Sequence, residues 1–218
     1  MTRFFKIIYL LLFISLISCN SDKKGANHVR RQVRKDAFKE TTIVDCHYTL
    51  EQAIEGSNAP KRILNQLQLI DVRYYSTDGK IHQGQILTNK KMVPKIEMLF
   101  QFILKVKFPV AHAIPIVKYN WNDDASMQAN NTYSFCYRDI SYSKHARGMA
   151  IDINPFYNPV RWKKGYEYRQ NKPIGAHYNP DIPGTFYSSN PVVLESRKFG
   201  LRWGHSFTRN YDDHHFEI

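Results

Sequence analysis

The sequence has few cysteines, fewer acidic than basic residues, and no series of long apolar segments that would cross a membrane repeatedly. Three Cys among 218 residues, with no Cys-x-x-Cys pair, exclude a zinc ribbon and a dense disulfide scaffold. No Gly-x-Ser-x-Gly occurs, which disfavours a serine hydrolase built on a nucleophile elbow. With 43% hydrophobic and 23% charged residues, the chain is also not disordered, collagen-like or a multi-span membrane protein.

The charge is strongly one-sided. Lys and Arg number 31 and Asp and Glu 19, for a net charge of +12. Such an excess favours an anionic partner, whether nucleic acid, anionic lipid or a carboxylate-bearing polymer such as a cell wall. Aromatic residues make up 14% of the chain, which favours a sheet-containing fold with a well-filled core. The length suits one domain of ordinary size.

The N-terminus predicts export. Arg3 and Lys6 precede an apolar run over 7–17 that is short for a membrane span. The run ends Leu16-Ile17-Ser18-Cys19, which resembles the lipobox of bacterial lipoproteins, where the Cys becomes the lipidated N-terminus. We therefore predict a signal peptide over 1–18 and a protein anchored through lipid on Cys19 to a bacterial membrane, in the periplasm or cell envelope. An ordinary cleaved signal and an uncleaved short anchor are the alternatives.

The next segment, 19–45, is polar and basic and predicts a flexible tether, which leaves 46–218 as the folded domain. Export argues against nucleic acid as the partner, since the signal takes the chain out of the cytoplasm and part of its charge lies in the tether. We expect a monomer. In an oxidising compartment Cys46 and Cys136 can pair, but two buried free thiols are an equal alternative.

The domain has the pattern of an α+β fold in which an antiparallel sheet is packed by helices. Apolar spacing predicts a helix over 60–69, and β-rich runs over 70–75 and 81–87 flank Asp78-Gly79 as a hairpin. A long helix is expected to begin after Asn89 as its N-cap and to run to Val106. The pattern then predicts an extended segment over 108–119 and a polar loop over 120–132. The last expected helix is marked by Asn190 as cap, Pro191 at its first position and Gly200 at its end.

One chemical motif lies in the segment 143–155. Gly148 permits a turn, and the following residues favour a strand. Alternation along that strand puts Met149, Ile151 and Ile153 on one face and Ala150 and Asp152 on the other. Because His145 precedes the turn, it can fold back toward the Asp152 carboxylate. An imidazole and a carboxylate that meet in this way suit a hydrolytic zinc site.

The second motif is the C-terminal stretch Asp212-Asp213-His214-His215-Phe216-Glu217. A third nitrogen ligand from this stretch would complete a His, Asp, His set with one position left for water, as in catalytic zinc sites. A carboxylate a few residues away would then be placed to accept a proton. A capped turn with a surface ion pair and an incidental His-His pair are the plainer explanations of the two motifs.

Together the motifs resemble a known family. The pattern Ser143-x-His145-x-x-Gly148-x-Ala150-x-Asp152, followed by an acid, two residues and His-Phe-Glu, is similar to the signatures of the M15 zinc peptidases. This family includes D-Ala-D-Ala carboxypeptidases and L-Ala-D-Glu endopeptidases of bacterial cell walls. The weaker part of the resemblance begins near residue 60 and covers most of the mature domain. It implies a zinc peptidase fold of the D-Ala-D-Ala carboxypeptidase type that hydrolyses the stem peptides of peptidoglycan.

Position by position, the resemblance implies His145, Asp152 and His215 as Zn²⁺ ligands. It implies Asp212 as the general base on the activated water, because the family's base precedes its ligand by three. Arg138 is similar to an upstream Arg that binds a substrate carboxylate or stabilises the oxyanion. Ser143 and Glu217 would hold ligands in place. Which stem-peptide bond is cut, and which membrane carries the anchor, stay open.

The chain also departs from the family pattern. Relatives often have Trp-Gly-Gly-Asp-Trp where this chain has Trp203-Gly204-His205-Ser206-Phe207, so the family's specificity does not carry over. Cys136 stands where a polar residue is expected, just before Tyr137-Arg138. A non-catalytic, zinc-containing module that binds the cell wall on the same fold is the alternative function. Retention of Asp212 argues against it, since a binding module has no use for the base.

Overall fold

The computed structural model describes residues 42–218. The predicted signal peptide, Cys19 and nearly all of the predicted tether lie outside these residues. None of the helices in the described part is both long and apolar enough to cross a membrane.

Five α-helices and ten strands make up this region, together with three short 3-10 turns. The helices are α1 (Leu50–Ile54), α2 (Lys61–Leu64), α3 (Val93–Val106), α4 (Asp123–Gln128) and α5 (Pro191–Lys198). The strands are β1 (Ile43–Val44), β2 (Leu67–Tyr75), β3 (Ile81–Asn89), β4 (His112–Ala113), β5 (Asn131–Thr132), β6 (Ala150–Asp152), β7 (Val160–Trp162), β8 (Arg202–Trp203), β9 (Asn210–Asp212) and β10 (His215–Glu217). The 3-10 turns are Ile116–Tyr119, His145–Arg147 and Gly204–Ser206.

The strands of the described residues form four small sheets and not the one antiparallel sheet that the sequence predicted. Two sheets have three strands, in the orders β1-β3-β2 and β6-β10-β8, and two are pairs, β4-β5 and β7-β9. Most pairings are antiparallel, as expected, but β1 with β3 and β4 with β5 are parallel. The fold is therefore a mixture of helices and several sheets, because strands of two or three residues cannot extend into one continuous sheet.

The predicted hairpin is confirmed. Strands β2 and β3 pair over nine residues each, and Gly79 at their turn has φ +77°, which a glycine adopts without strain. The helix expected over 60–69 is wrong in its second half, since α2 ends at Leu64 and β2 begins at Leu67. The spacing of Leu64 and Leu67 fits a helix, but Leu67 and Leu69 also fit the alternation of a strand, and pairing with β3 decides between the two.

The long helix is present, but its expected cap is wrong. The N-cap of α3 is Met92, whereas Asn89 ends β3 and its side-chain oxygen accepts a hydrogen bond from the amide of Lys91. Asn89 therefore makes the turn between strand and helix. The buried face of α3 packs on β2 and, with residues of β6, β10 and α5, forms the main core; this face consists of Val93, Ile96, Leu99, Phe100 and Ile103.

Two segments expected to be irregular contain short elements. The segment 108–119 includes β4 and a 3-10 turn, and the segment 120–132 includes α4 and β5. Asn122 caps α4 by accepting a hydrogen bond from the amide of Ala125. This helix has few apolar residues, so it has no apolar periodicity to predict it. The helix α5 follows the prediction, with Asn190 as its cap and Gly200 at φ +75° just beyond its end.

Two free thiols are found instead of a disulfide. Cys46 Sγ lies 3.9 Å from the carbonyl of Ala113, and Cys136 Sγ lies 4.0 Å from the carbonyl of Trp121. Burial raises the pKa of Cys46 to about 11 and that of Cys136 to about 12. Both therefore remain protonated near neutral pH, and Cys136 is a poor nucleophile.

The N-terminal edge of the described region is held by an ion pair to the hairpin. Strand β1 pairs with residues 82–83 of β3, and His82 Nδ1 lies 2.7 Å from Asp45 Oδ1. On its other side, His82 Nε2 lies 3.3 Å from Asp78. The residues 43–45, which the sequence placed at the end of the tether, therefore contact the first sheet.

This pair predicts a pH dependence of stability. Burial alone would lower the pKa of His82, but hydrogen bonds to Asp45 and Asp78 outweigh it and raise the pKa above its ordinary value. A group whose pKa is raised by folding stabilises the protein below its ordinary pKa, and the contribution is lost as the pH rises through the raised value. The difference in urea midpoint between wild type and His82→Gln should therefore be largest near pH 6 and shrink toward pH 9, with chelator present throughout.

The exposed His177 provides the control, since His177→Gln should leave the midpoint nearly unchanged at every pH. A stability difference for His82→Gln that stays constant from pH 6 to pH 9 would contradict the role given to the charged imidazole.

Candidate metal centre and cleft

The first two candidate ligands are brought together by strand pairing. Strands β6 and β10 are antiparallel, and Asp152 lies directly opposite His215. Cross-strand neighbours point to the same face, so the two side chains meet, with Asp152 Oδ1 3.0 Å from His215 Nδ1. The opposite face of β6 carries Ile151, which is fully buried in the main core. The alternation predicted from the sequence thus directs Ile151 into the core and Asp152 into the candidate site.

The third candidate ligand comes from the 3-10 turn before β6. Ser143 Oγ accepts a hydrogen bond from the amide of Ala146, which caps the turn that carries His145. Gly148 ends this turn with φ +64°, and a Cβ atom there would lie 2.6 Å from the backbone nitrogen of Asn89. Both the positive φ and the close approach require glycine. The glycine of the motif therefore allows the chain to reverse and return His145 to the strand.

The three ligand atoms form a compact triangle. His145 Nε2 lies 3.1 Å from Asp152 Oδ1 and 3.0 Å from His215 Nδ1, and all three residues are buried. Zinc binds imidazole nitrogen and carboxylate oxygen at about 2.0 to 2.2 Å, so neighbouring ligands around one tetrahedral ion lie about 3.3 Å apart. The described residues thus contain a His, Asp, His group that can hold a metal ion.

The hydrogen bonds around the triangle fix the tautomer of each imidazole. His145 Nδ1 lies 2.7 Å from the carbonyl oxygen of Ser134, and His215 Nε2 lies 3.1 Å from Glu217 Oε2. Because these oxygens only accept, the outer nitrogens carry the protons of the neutral imidazoles, and each inner nitrogen of the neutral form presents a lone pair to Asp152. Three lone-pair atoms facing one another in a buried place are the donor set of a cation, and the residues fit a zinc ion.

The same conclusion follows from the titration of the group. Burial opposes charge on His215, but Asp152 and Glu217 outweigh it and raise the pKa of His215 to about 10. Burial alone would raise the pKa of Asp152, yet the positive charge of the surrounding imidazoles holds it well below its ordinary value. The centre of the triangle therefore favours positive charge, which a proton or a metal cation can supply.

The second carboxylate oxygen of Asp152 is connected by hydrogen bonds to other residues that line a cleft. The Tyr133 hydroxyl lies 3.0 Å from Asp152 Oδ2 and also contacts Asp123. Asp123 in turn lies 3.0 Å from Arg138 Nη2. Burial tends to lower the pKa of Arg138, but Asp123 outweighs it and raises the pKa, so the guanidinium stays charged. Arg138 is thus connected to the triangle through two side chains.

Asp212 stands at the end of β9, beside the triangle. Its side chain is 19% exposed, and its Oδ1 atom lies 3.0 Å from His214 Nε2. The two groups are not aligned for a hydrogen bond, and within residues 42–218 this oxygen has no hydrogen-bond partner. His214 is held by a 2.7 Å contact between its Nδ1 and the carbonyl of Asn158. His214 therefore supports Asp212 and lies outside the group of three ligands.

A cleft of about 310 Å³ joins these residues. The triangle, Arg138, Asp123, Asp212 and Lys172 are among the residues that line it. All five residues singled out from the sequence, His145, Asp152, His215, Asp212 and Arg138, line this one cleft.

Sequence reasoning did not single out Tyr133, Asp123 or Lys172. Tyr133 reaches Asp152 because the backbones of these two residues exchange hydrogen bonds of 3.1 and 2.9 Å. Lys172 reaches the cleft through a similar bridge to Val160. These contacts join segments more than ten residues apart, and no local pattern in the sequence predicts them.

Of the residues that replace the family pattern, His205 and Ser206 do not line the cleft, whereas Phe207 does. His205 Nδ1 lies 2.6 Å from Asp213 Oδ1, and the His205 ring stacks on Trp203 at 4.5 Å. Ser206 Oγ donates a hydrogen bond to the carbonyl of Trp203. Arg161 binds the other oxygen of Asp213 through two nitrogens, at 2.9 and 2.7 Å. Asp213 is fully buried and anchors the segment between Asp212 and the ligand strand β10.

We expect Asp213→Asn to destabilise the protein by about 3 kcal/mol, because it breaks a buried ion pair with two partners. The lower end of the usual range applies, since the Arg161 side chain is 28% exposed and can be hydrated. Urea unfolding of the metal-free proteins measures the difference. Lys198→Gln, which breaks an exposed pair with Glu195, should change stability by less than about 0.5 kcal/mol. Equal effects of the two substitutions would contradict the anchoring role.

Comparison with known proteins agrees with this geometry. A family model described as D-alanyl-D-alanine carboxypeptidase matches residues 138–218, a range that contains the three candidate ligands, Asp212 and Arg138. Searches of curated proteins and of solved structures gave no match. The match to the family model supports an M15 peptidase family for this chain and, with it, hydrolase activity of a kind that typically depends on a metal.

Proposed function

We propose that this protein is a zinc-dependent peptidase that hydrolyses peptide bonds in the stem peptides of peptidoglycan, as a D-Ala-D-Ala carboxypeptidase or an L-Ala-D-Glu endopeptidase. The observation that carries the proposal is the buried triangle of His145, Asp152 and His215, whose lone-pair atoms lie 3.0 to 3.1 Å apart at the floor of an open cleft. The match of residues 138–218 to the D-alanyl-D-alanine carboxypeptidase family supports the same reaction.

A zinc ion held by His145, Asp152 and His215 would supply a Lewis acid that lowers the pKa of water and polarises a carbonyl group. Ser134 and Glu217 hold the two imidazoles with their lone pairs inward, so the ligands are organised before a metal arrives. Tyr133 keeps Asp152 in its orientation from the other side. The chain's own contribution at this point is a rigid, prearranged set of donors.

Asp212 is the proposed general base. Its carboxylate lines the cleft and can accept the proton of the attacking water. The same carboxylate then returns the proton to the amine that leaves. His214, whose pKa Asp212 raises against the effect of burial, lies 3.0 Å from Oδ1 and keeps the carboxylate oriented. A purely binding module would have no need of a carboxylate in this position.

Arg138 is the proposed electrophilic partner. Asp123 holds one of its nitrogens, and the side chain remains 34% exposed at the cleft. A guanidinium has five N–H donors, so those not used by Asp123 are available to the oxyanion of the tetrahedral intermediate or to a substrate carboxylate. Asp123 thereby sets the orientation of the Arg138 guanidinium group.

The proposed setting is the bacterial cell envelope, with the chain anchored to a membrane through lipid on Cys19. The apolar segment and lipobox-like sequence before Cys19 support the anchor, and the excess of basic over acidic residues, which remains after residues 1–18 are removed, suits an anionic wall. Peptidoglycan stem peptides are accordingly the proposed partner, and the protein acts as a monomer.

The metal centre predicts one zinc ion per chain, measured by elemental analysis of the full chain purified in detergent. His215→Ala should lose this zinc, whereas His177→Ala, an exposed histidine away from the cleft, should retain it. Glu217→Gln keeps all three ligands but weakens the hold on His215, so zinc affinity should fall about 10- to 100-fold. Full zinc occupancy of His215→Ala would exclude the proposed centre.

Mass spectrometry of defined muropeptides tests the reaction. Loss of a terminal alanine identifies the carboxypeptidase, and release of L-Ala from the rest of the stem identifies the endopeptidase. Asp212→Ala should retain zinc while kcat falls about 10²- to 10⁴-fold, since it removes only the proton acceptor. Intact peptide after incubation with a zinc-loaded wild type would refute the peptidase and leave the wall-binding module as the explanation.

A further inference from the structure

Lys172 occupies a defined position relative to Asp212. Val160 lies directly opposite Asp212 in the pairing of β7 with β9, and Lys172 bridges to Val160 on the other side of β7. Two backbone hydrogen bonds, of 2.7 and 3.3 Å, hold this bridge. Side chains directly opposite one another share a face, and all three residues line the cleft.

This register fixes how far Lys172 stands from the reaction. Paired strands lie about 4.8 Å apart, so the backbone of Lys172 is about 10 Å from that of Asp212. An extended substrate advances about 3.3 Å per residue along the cleft. The separation of the two backbones therefore spans about three residues of such a substrate. The long Lys172 side chain can reach back over part of it, so its ammonium group can meet a substrate group one or two residues from the bond that is cut.

The other permanent positive charges of the cleft have partners that hold them. Among the described residues that line it, Arg138 is paired with Asp123, and Lys144 Nζ donates to the carbonyl oxygen of Ile218. Lys172 is paired only with Asp124, at 3.0 Å, and the two side chains are 54% and 72% exposed. Ion pairs this exposed contribute little stability, so the Lys172 ammonium can exchange Asp124 for another carboxylate.

We infer that Lys172 is a specificity-determining residue that binds a free carboxylate of the substrate one or two residues from the scissile bond, with Asp124 as its partner when no substrate is bound. The inference rests on the proposed function and deepens it. Two carboxylates of a stem peptide have this chemistry, the terminal carboxylate of D-Ala and the α-carboxylate of D-Glu. Asp124 is the second residue of α4, next to Asp123, and does not itself line the cleft, so the exchange brings the Lys172 ammonium group from α4 to the substrate.

The experiment compares stem pentapeptides in which the D-Ala carboxylate, the D-Glu α-carboxylate, or neither, is converted to the carboxamide. For the zinc-loaded full chain, one of the two amidations should raise KM about five- to tenfold, because it removes one charge-assisted contact. Which amidation has this effect identifies the carboxylate that is bound. Lys172→Gln should raise KM for the unmodified peptide by a similar factor. In this variant, KM for the unmodified peptide should equal KM for the amide that the wild type binds poorly.

Matched variants separate recognition from structure. Lys172→Arg keeps the charge and should restore most of the discrimination, and Asp124→Asn should lower KM slightly because it removes the competing carboxylate. Lys164→Gln, an exposed lysine of the same segment that does not line the cleft, is the control for net charge. The inference is overturned if Lys172→Gln still distinguishes the unmodified peptide from the amide by KM, or if the wild type does not distinguish them. In both cases the proposed function stands as long as the wild type hydrolyses the peptides. Failure of the wild type to cut any of the peptides refutes the proposed function instead.

Discussion

A buried carboxylate faces the lone pairs of two imidazoles, and this arrangement is stable only with positive charge between them. Ser134 and Glu217 hold the outer nitrogens of His145 and His215, so neither ring can turn a proton-bearing nitrogen inward without losing a buried hydrogen bond. The structure around the site therefore favours a cation at one point. The match of residues 138–218 to a D-alanyl-D-alanine carboxypeptidase family model agrees with a metal ion at this point.

The residues that form much of the main core and the candidate ligands lie on different elements of the fold. The hairpin of β2 and β3 with α3 supplies a large part of the main core, whereas the candidate ligands lie on and beside the short strands β6 and β10. Short strands are adequate for this purpose because their inner faces enter that core through Ile151 and Phe216, both fully buried. The close approach of Gly148 to Asn89 joins the two parts, since it presses the turn that carries His145 against the end of β3.

The sequence predicted what depends on local pattern. Alternation around Asp152, the turn at Gly148 and the hairpin at Asp78-Gly79 were all anticipated from such patterns. The resemblance to a known family, and not local pattern, implied the grouping of the three candidate ligands. The errors occurred where local patterns are ambiguous, as at Leu67, or where a polar helix such as α4 has no apolar stripe. The partners of Asp152 and the position of Lys172 depend on bridges between distant segments, so only the folded chain reveals them.

The cleft is asymmetric in charge, and this asymmetry has a structural cause. Asp123 holds Arg138 in a chain of contacts that ends at Asp152, so that cation is fixed relative to the candidate metal centre. Lys172, in contrast, is held only by the exposed Asp124, while the fully buried Asp213 fixes the backbone beside Asp212. A substrate that enters the cleft thus meets one fixed positive charge and one positive charge whose partner can be exchanged. Such a division suits a peptidase in which the fixed charge serves the reacting carbonyl and the exchangeable charge selects the peptide.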